Sequence, residues 1–275
     1  MAPMAHTLAL LAMAVAIGTI KALSLDMAQE SFDDQYLTCG EKLSEDLLQL
    51  QVSDFCNNDK FYKDWLNATA QWQKRGSIRE SLTPDQAIAL MAYTMNEMKL
   101  YDRFNKAVQR AGRSSWEYQK KFHFKSLHFL LTRALQTLRH TNDCKNVIRG
   151  VKNYHFNVNK GDKVRFGQFA STSLSEKVAQ NYGKATMFKV YTCHGVDIQK
   201  FSMYPDEKEV LIPPFETFEV TGVSEEGNTI DLRSTGTTSN YECEWLKGGS
   251  LPRNSPRLGG LLLATVAMAV ITRTL

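Results

Sequence analysis

Three short segments of this 275-residue chain hold the residue types that can do chemistry. Val147-Ile148-Arg149-Gly150 sets a permanently charged guanidinium, able to fork two hydrogen bonds onto an anion, at the end of an apolar run. Phe166-Gly167-Gln168-Phe169-Ala170-Ser171-Thr172-Ser173 offers a cluster of hydroxyls, and Pro205-Asp206-Glu207-Lys208-Glu209-Val210-Leu211-Ile212-Pro213 two carboxylates one residue apart. Such carboxylates can stabilise positive charge as it builds and take up a proton. Taken singly, each segment has a plainer reading. An arginine after a strand-like run is usually a surface or salt-bridge residue, hydroxyl clusters serve edge strands and turns, and paired acids in a turn are usually solvated. Other chemistries have less to stand on. The sequence contains no glycine-rich phosphate loop, no His-Glu-x-x-His zinc motif and no G-x-S-x-G nucleophile turn, and its six histidines are scattered.

The elements that must position these residues change character along the chain. Before about residue 142 the pattern is helical. Thr83-Pro84-Asp85-Gln86 supplies an N-cap, a proline at the first helical position and a capping partner. The helix it starts carries Ile88, Leu90, Met91, Tyr93 and Met95 and is expected to end near Gly112. A second buried face recurs at Phe124, Leu127, Leu131, Ala134, Leu135 and Leu138. Afterwards, strands are expected at Val147–Val151, Val164–Phe169, Thr186–Cys193, Val210–Pro213, Thr217–Val223, Thr229–Arg233 and Asn240–Glu244. Helices first and strands later predict an α+β fold rather than alternating βαβ units.

Both ends read as processing signals. The apolar run Thr7–Ile20, followed by Lys21-Ala22-Leu23-Ser24, predicts a secretory signal peptide over 1–22. Leu261–Ile271 falls short of the roughly 20 residues of a spanning helix. Small residues Gly248, Gly249 and Ser250, then a polar spacer to Gly260, then this tail, follow the order of a glycosylphosphatidylinositol (GPI) signal. A single domain over 23–250 and a removed propeptide over 251–275 are therefore expected, with a lipid holding the domain to the extracellular face of the plasma membrane; shedding or secretion is the variant of that topology. The removed segments carry Lys21, Arg253, Arg257 and Arg273 and no acid, so the formal charge of +4 falls to zero in the retained domain. A neutral domain has no general pull on nucleic acid. Cys39, Cys56, Cys144, Cys193 and Cys243 lack zinc-site spacing and predict two bridges and one odd thiol outside the cell, with pairing open. Asn67-Ala68-Thr69 is a glycosylation sequon.

In their order, the arginine, Ser-Thr-Ser and Glu-x-Glu segments resemble those of the arginine-specific mono-ADP-ribosyltransferases, the vertebrate cell-surface enzymes in particular. The resemblance runs from Phe32 to Trp245, through Lys121-Phe122-His123-Phe124-Lys125, Leu131-Thr132-Arg133-Ala134-Leu135 and Val178-Ala179-Gln180. It implies a helical part over about 25–142 packed on a split, NAD-binding β-core over about 143–245. It implies NAD as a substrate, with no permanently bound cofactor and no metal, and ADP-ribose transfer to arginines of surface or secreted proteins with release of nicotinamide. Arg149 then meets the pyrophosphate, Ser171 supports the ribose pocket and orients Glu209, Glu209 binds the ribose 2′-hydroxyl, and Glu207 receives the acceptor guanidinium. Tyr93, Gln168 and Ser202 are implied NAD contacts, and the bridges become Cys39–Cys243 and Cys144–Cys193, leaving Cys56 over. Lys208 departs from the glutamate common there, which leaves an NAD glycohydrolase as an alternative. A catalytically silent surface marker is a third reading.

Overall fold

The computed structural model describes residues 21–76, 81–141 and 143–248. The signal-peptide run, Gly249, Ser250, the spacer and the apolar tail lie outside them. After a short strand β1 (Lys21–Ser24) come α1 (Gly40–Glu45), α2 (Leu47–Asn57), α3 (Asp59–Arg75), α4 (Pro84–Thr94), α5 (Leu100–Ala111), α6 (Ser115–Lys121) and α7 (Lys125–Leu138). The rest comprises β2 (Lys145–Val151), β3 (Tyr154–Asn157), β4 (Lys163–Val164), β5 (Ala170–Ser173), α8 (Glu176–Asn181), β6 (Thr186–Thr192), β7 (Val196–Asp197), β8 (Glu209–Ile212), β9 (Glu216–Val223), β10 (Thr229–Thr237) and α9 (Glu244–Lys247). The α+β division of the sequence is that of the molecule. Among the described residues no helix is long and apolar enough to cross a membrane.

The helices form where the local signals demand. Thr83 and Gln86 close a capping box on α4, Asn58 accepts from Phe61 N at the start of α3, and Ser114 accepts from Glu117 N at the start of α6. The start of α7 is capped from another helix: Asp54 Oδ2 on α2 accepts from both Ser126 N and Ser126 Oγ at 2.7 Å. These helices bury Phe32, Phe61, Phe104, Phe122, Leu127 and Leu131 in one core, while Val147, Phe188, Val190, Ile212, Phe218 and Ile230 form a second within the sheet.

Sheet order is β4-β9-β10-β6-β2-β5-β8-β7, with β10 and β6 parallel and the other pairs antiparallel; β1 and β3 form a separate parallel pair. Between β2 and β5 the register holds at a single pair, Ile148 with Ser173, whereas β2 meets β6 along its whole length. The core is therefore split beside Arg149. Two disulfides brace the ends: Cys39–Cys243 ties the first helix to the last, and Cys144–Cys193 ties β2 to β6; Cys56 is free and exposed.

Three expected elements differ. The helix begun at Thr83 stops at Thr94, and a 3₁₀ turn at Asn96–Met98 with Lys99 at φ 49° separates it from α5. The strand expected over Val164–Phe169 stops at Val164, because Arg165 turns inward to a buried ion pair with Asp33 (2.6 Å) and Gly167 adopts φ 61°. Asn240–Glu244 is not a strand. Its backbone donors go to buried carboxylates instead, Asn240 and Tyr241 N to Asp33 and Glu244 N to Asp34.

Candidate active site

Arg149 on β2, Ser171 on β5, Glu209 at the first position of β8 and Glu207 in the 3₁₀ turn before it line one cleft of about 360 Å3. The helical half contributes Tyr93, Asn96, Tyr101 and Asn105 to the same cleft. A volume of that size suits a small organic ligand. Antiparallel pairing of β5 with β8 sets Ser171 opposite Leu211 and Ser173 opposite Glu209. The hydroxyl cluster thus lies on an interior strand, and it organises the carboxylate turn. Ser173 Oγ donates to Glu207 O at 2.7 Å and accepts from Ser175 N at 2.9 Å, while Leu174 N donates to Lys208 O at 3.1 Å. Thr172 Oγ1 donates to Val210 O at 2.6 Å. The turn closes with Lys208 in the left-handed region at φ 49°.

Electrostatics separate the two acids. Glu209 is 6 % exposed, and burial pushes its carboxyl up to about 7; a hydrogen bond from Ser171 and the charge of Arg149 pull the other way, and Glu207 adds to the rise. Arg149 Nη1 donates to Ser171 O at 2.6 Å, which fixes the guanidinium across the split in the sheet. Burial lowers the Arg149 pKa, opposed by the charges of Tyr93 and Glu209. Glu207 is half-buried and accepts from the Tyr182 hydroxyl at 2.5 Å. Tyr93 is buried under the site and donates to Phe169 O at 2.9 Å; burial first, then the charge of Glu209, raises its phenol to about 12.

Gly150 serves the backbone. A Cβ there would stand 2.1 Å from Ala179 O, so glycine is what lets α8 lie against β2. Gln168 and Ser202 do not line the cleft. Gln168 Oε1 accepts from Gln109 Nε2 on an exposed surface, and buried Ser202 stiffens the segment before the carboxylate turn, its Oγ accepting from Tyr204 N at 3.1 Å and its carbonyl from Arg75 at 2.8 Å. The sequence reading did not single out Asn105, which donates to Tyr93 Oη and Phe169 O. Its signal was a polar residue on the face of α5 that buries Leu100, Phe104 and Val108.

The model of the NAD:arginine ADP-ribosyltransferase family matches residues 25–240. The chain belongs to that family. Its relatives include the "Erythroblast NAD(P)(+)--arginine ADP-ribosyltransferase" of Gallus gallus, 47 % identical over 237 residues, covering 84 % of this chain and 78 % of that one. The "GPI-linked NAD(P)(+)--arginine ADP-ribosyltransferase 1" of Mus musculus is 44 % identical over 239 residues, 81 % of this chain and 73 % of that protein. The crystal structure of the eucaryotic mono-ADP-ribosyltransferase ART2.2 superposes with a TM-score of 0.70 at 38 % identity, covering 80 % of this chain and 98 % of that one, and a variant of it solved in complex with NADH gives 0.71. In this ADP-ribosyltransferase, then, the split beside β2 is where a guanidinium, a hydroxyl and two carboxylates of unlike environment converge.

Proposed function

We propose that this protein transfers ADP-ribose from NAD to arginine side chains of other proteins, releasing nicotinamide. The observation that carries the reading is the convergence of Arg149, Ser171, Glu207 and Glu209 on one cleft, with one acid buried and the other at its rim. Arg149 meets the pyrophosphate of NAD with a fixed positive charge. The bond between C1′ of the ribose and the nicotinamide nitrogen breaks, and its electron pair leaves with nicotinamide. Positive charge then spreads over the ring, as in glycoside cleavage. Glu209, held by Ser171, accepts the ribose 2′-hydroxyl and stabilises that charge in a site with little water to screen it. Glu207 receives the acceptor guanidinium, and as a guanidine nitrogen bonds to C1′ the proton it loses passes to Glu207.

Two carboxylates are wanted because two cations must be met, one on the sugar and one on the acceptor. Incubation with labelled NAD and an arginine-like acceptor tests this: labelled acceptor and free nicotinamide are expected, and absence of transferred label counts against it. Lys208 beside the acceptor carboxylate favours a second reading, a glycohydrolase, which would release nicotinamide at one rate with or without acceptor. Chelators are expected to leave turnover intact.

Relatives named GPI-linked and ecto-ADP-ribosyltransferase support a place at the cell surface. For this chain we assign lipid attachment to Gly248, Gly249 or Ser250, glycosylation to Asn67, exposed on α3, and arginine-bearing surface or secreted proteins as acceptors. Release from cells by a phosphatidylinositol-specific phospholipase is the check on the anchor.

A further inference from the structure

Tyr182 is 47 % exposed, yet its hydroxyl is engaged. It follows the last turn of α8 and precedes Gly183, whose φ of 134° brings the chain so close that a Cβ there would stand 2.3 Å from the Lys152 backbone. Gly150 seals the other side of the same contact against Ala179. The tyrosine is thereby mounted on a wall pinned to the Arg149 strand, and it lines the cleft together with Glu207 and Glu209. From there its hydroxyl donates to Glu207 Oε1 at 2.5 Å, and Asn96, from the turn between α4 and α5, lines the same cleft beside the phenol. A neighbouring tie joins the same two turns, Tyr204 Oη to Glu97 Oε1 at 2.6 Å.

We propose that the Tyr182 hydroxyl is a positioning group for the acceptor carboxylate, holding one oxygen of Glu207 and thereby setting what fraction of the ADP-ribosyl cation reaches a guanidinium rather than water. This rests on the transferase reading of Glu207. A carboxylate at the end of a three-residue 3₁₀ turn has several rotamers open to it. With Oε1 held from the wall of α8, Oε2 remains for the N–H of the incoming guanidinium and for the proton it loses. Because Tyr182 and Arg149 ride on packed elements, the acceptor carboxylate keeps its place relative to the strand that meets the dinucleotide. Loss of one hydrogen bond to a charged group changes an equilibrium by about tenfold.

The test is the partition ratio, acceptor modified per nicotinamide released, measured on the whole protein at saturating NAD and subsaturating agmatine. Damage to the fold or to NAD binding lowers both quantities and leaves their ratio in place. Tyr182→Phe, which removes the hydroxyl and keeps the ring, is expected to lower the ratio about tenfold and raise the acceptor KM. Asn96→Ala, which keeps the tyrosine but loosens it, should move the ratio the same way by about two- to threefold. A Tyr182→Phe ratio within about twofold of the parent overturns the proposal. If the parent itself shows no acceptor-dependent product, and Glu207→Gln does not differ from it, the transferase reading has failed instead, so the two failures are told apart.

Discussion

Two buried carboxylates, one in each half of the molecule, are perturbed alike and have opposite surroundings. Asp54, in the helical half, is 1 % exposed and pushed up to about 6 by burial; Glu209, in the sheet half, is 6 % exposed and pushed up to about 7 by the same cause. Asp54 turns one oxygen, Oδ2, to both donors of Ser126 at the start of α7, beside the Lys125 ammonium that burial depresses to about 8, and its Oδ1 is buried without a partner. Glu209 faces a cleft and shares it with Arg149 and Glu207. A shifted carboxyl therefore does not mark a site by itself. Access to a concavity that also holds a cation and a second acid is what distinguishes the two.

The largest effect expected from that difference is at Glu209. Replacing it with alanine should slow nicotinamide release by about a thousandfold, measured in single turnovers, since among the described residues lining the cleft Glu209 is the buried acid. In the parent, kcat/KM for NAD should climb tenfold per pH unit below about 7 and level off above it, because the free enzyme must ionise Glu209 before it can stabilise a cation. The sign for stability is opposite. A carboxyl raised from 4.5 to about 7 is protonated in the fold where the unfolded chain has already released its proton, so stability declines as pH rises through that window. Glu209→Gln should thus melt higher than the parent at pH 8, by up to roughly 3 kcal/mol, and lose that advantage at pH 5. No difference between parent and variant at either pH would mean that burial does not raise Glu209, and would remove the perturbation it shares with Asp54.

Next in size is Asp54→Ala. It strips the cap from α7 and leaves a buried N–H unpaired, at a cost of about 2–4 kcal/mol, read from urea denaturation. Turnover per folded molecule should hold. A specific loss of NAD cleavage in this variant would break the distinction between the two acids.

Glu207→Gln follows, with acceptor-dependent transfer down by about a hundredfold and nicotinamide release largely retained, since the acid at the rim meets the acceptor and not the ribose. Equal loss of both activities would merge the two cleft carboxylates into one function.

What was legible in the chain divides along physical lines. The capping box at Thr83, the apolar face of α7 and the runs rich in Val, Ile, Phe and Thr of β2, β6 and β9 are local signals, and the elements stand where those signals lie. The ordered Arg149, Ser171 and Glu207–Glu209 segments were readable as a set, and the split in the sheet brings them to one cleft. Tertiary pairings other than the two disulfides that the resemblance implied were not readable. Nothing near Arg165 announces that Asp33, 132 residues away, will draw it out of a strand. The same Asp33 takes the backbone donors of Asn240 and Tyr241 and dissolves an expected strand there. Nothing near Tyr182 marks it for the site, because its partner, Glu207, lies 25 residues on and meets it only once α8 packs on β2.

The smallest expected effect sharpens the comparison at the other extreme, an exposed charge at the same rim. Lys208 is exposed, and water and salt screen it from a guanidinium approaching Glu207. Its repulsion of that cation should be worth under about 1 kcal/mol, so Lys208→Glu should lower the KM for a small guanidine by about threefold, an effect that vanishes in high salt. Lys208 also holds φ 49°, a conformation that asparagine and glycine adopt at lower cost. Lys208→Asn therefore separates charge from backbone: it should recover part of the KM change while raising the melting temperature slightly. A KM that falls with Lys208→Glu and is indifferent to salt would mean that the lysine acts by direct contact in the cleft, and that exposure is a poorer guide at this rim than burial is beneath it.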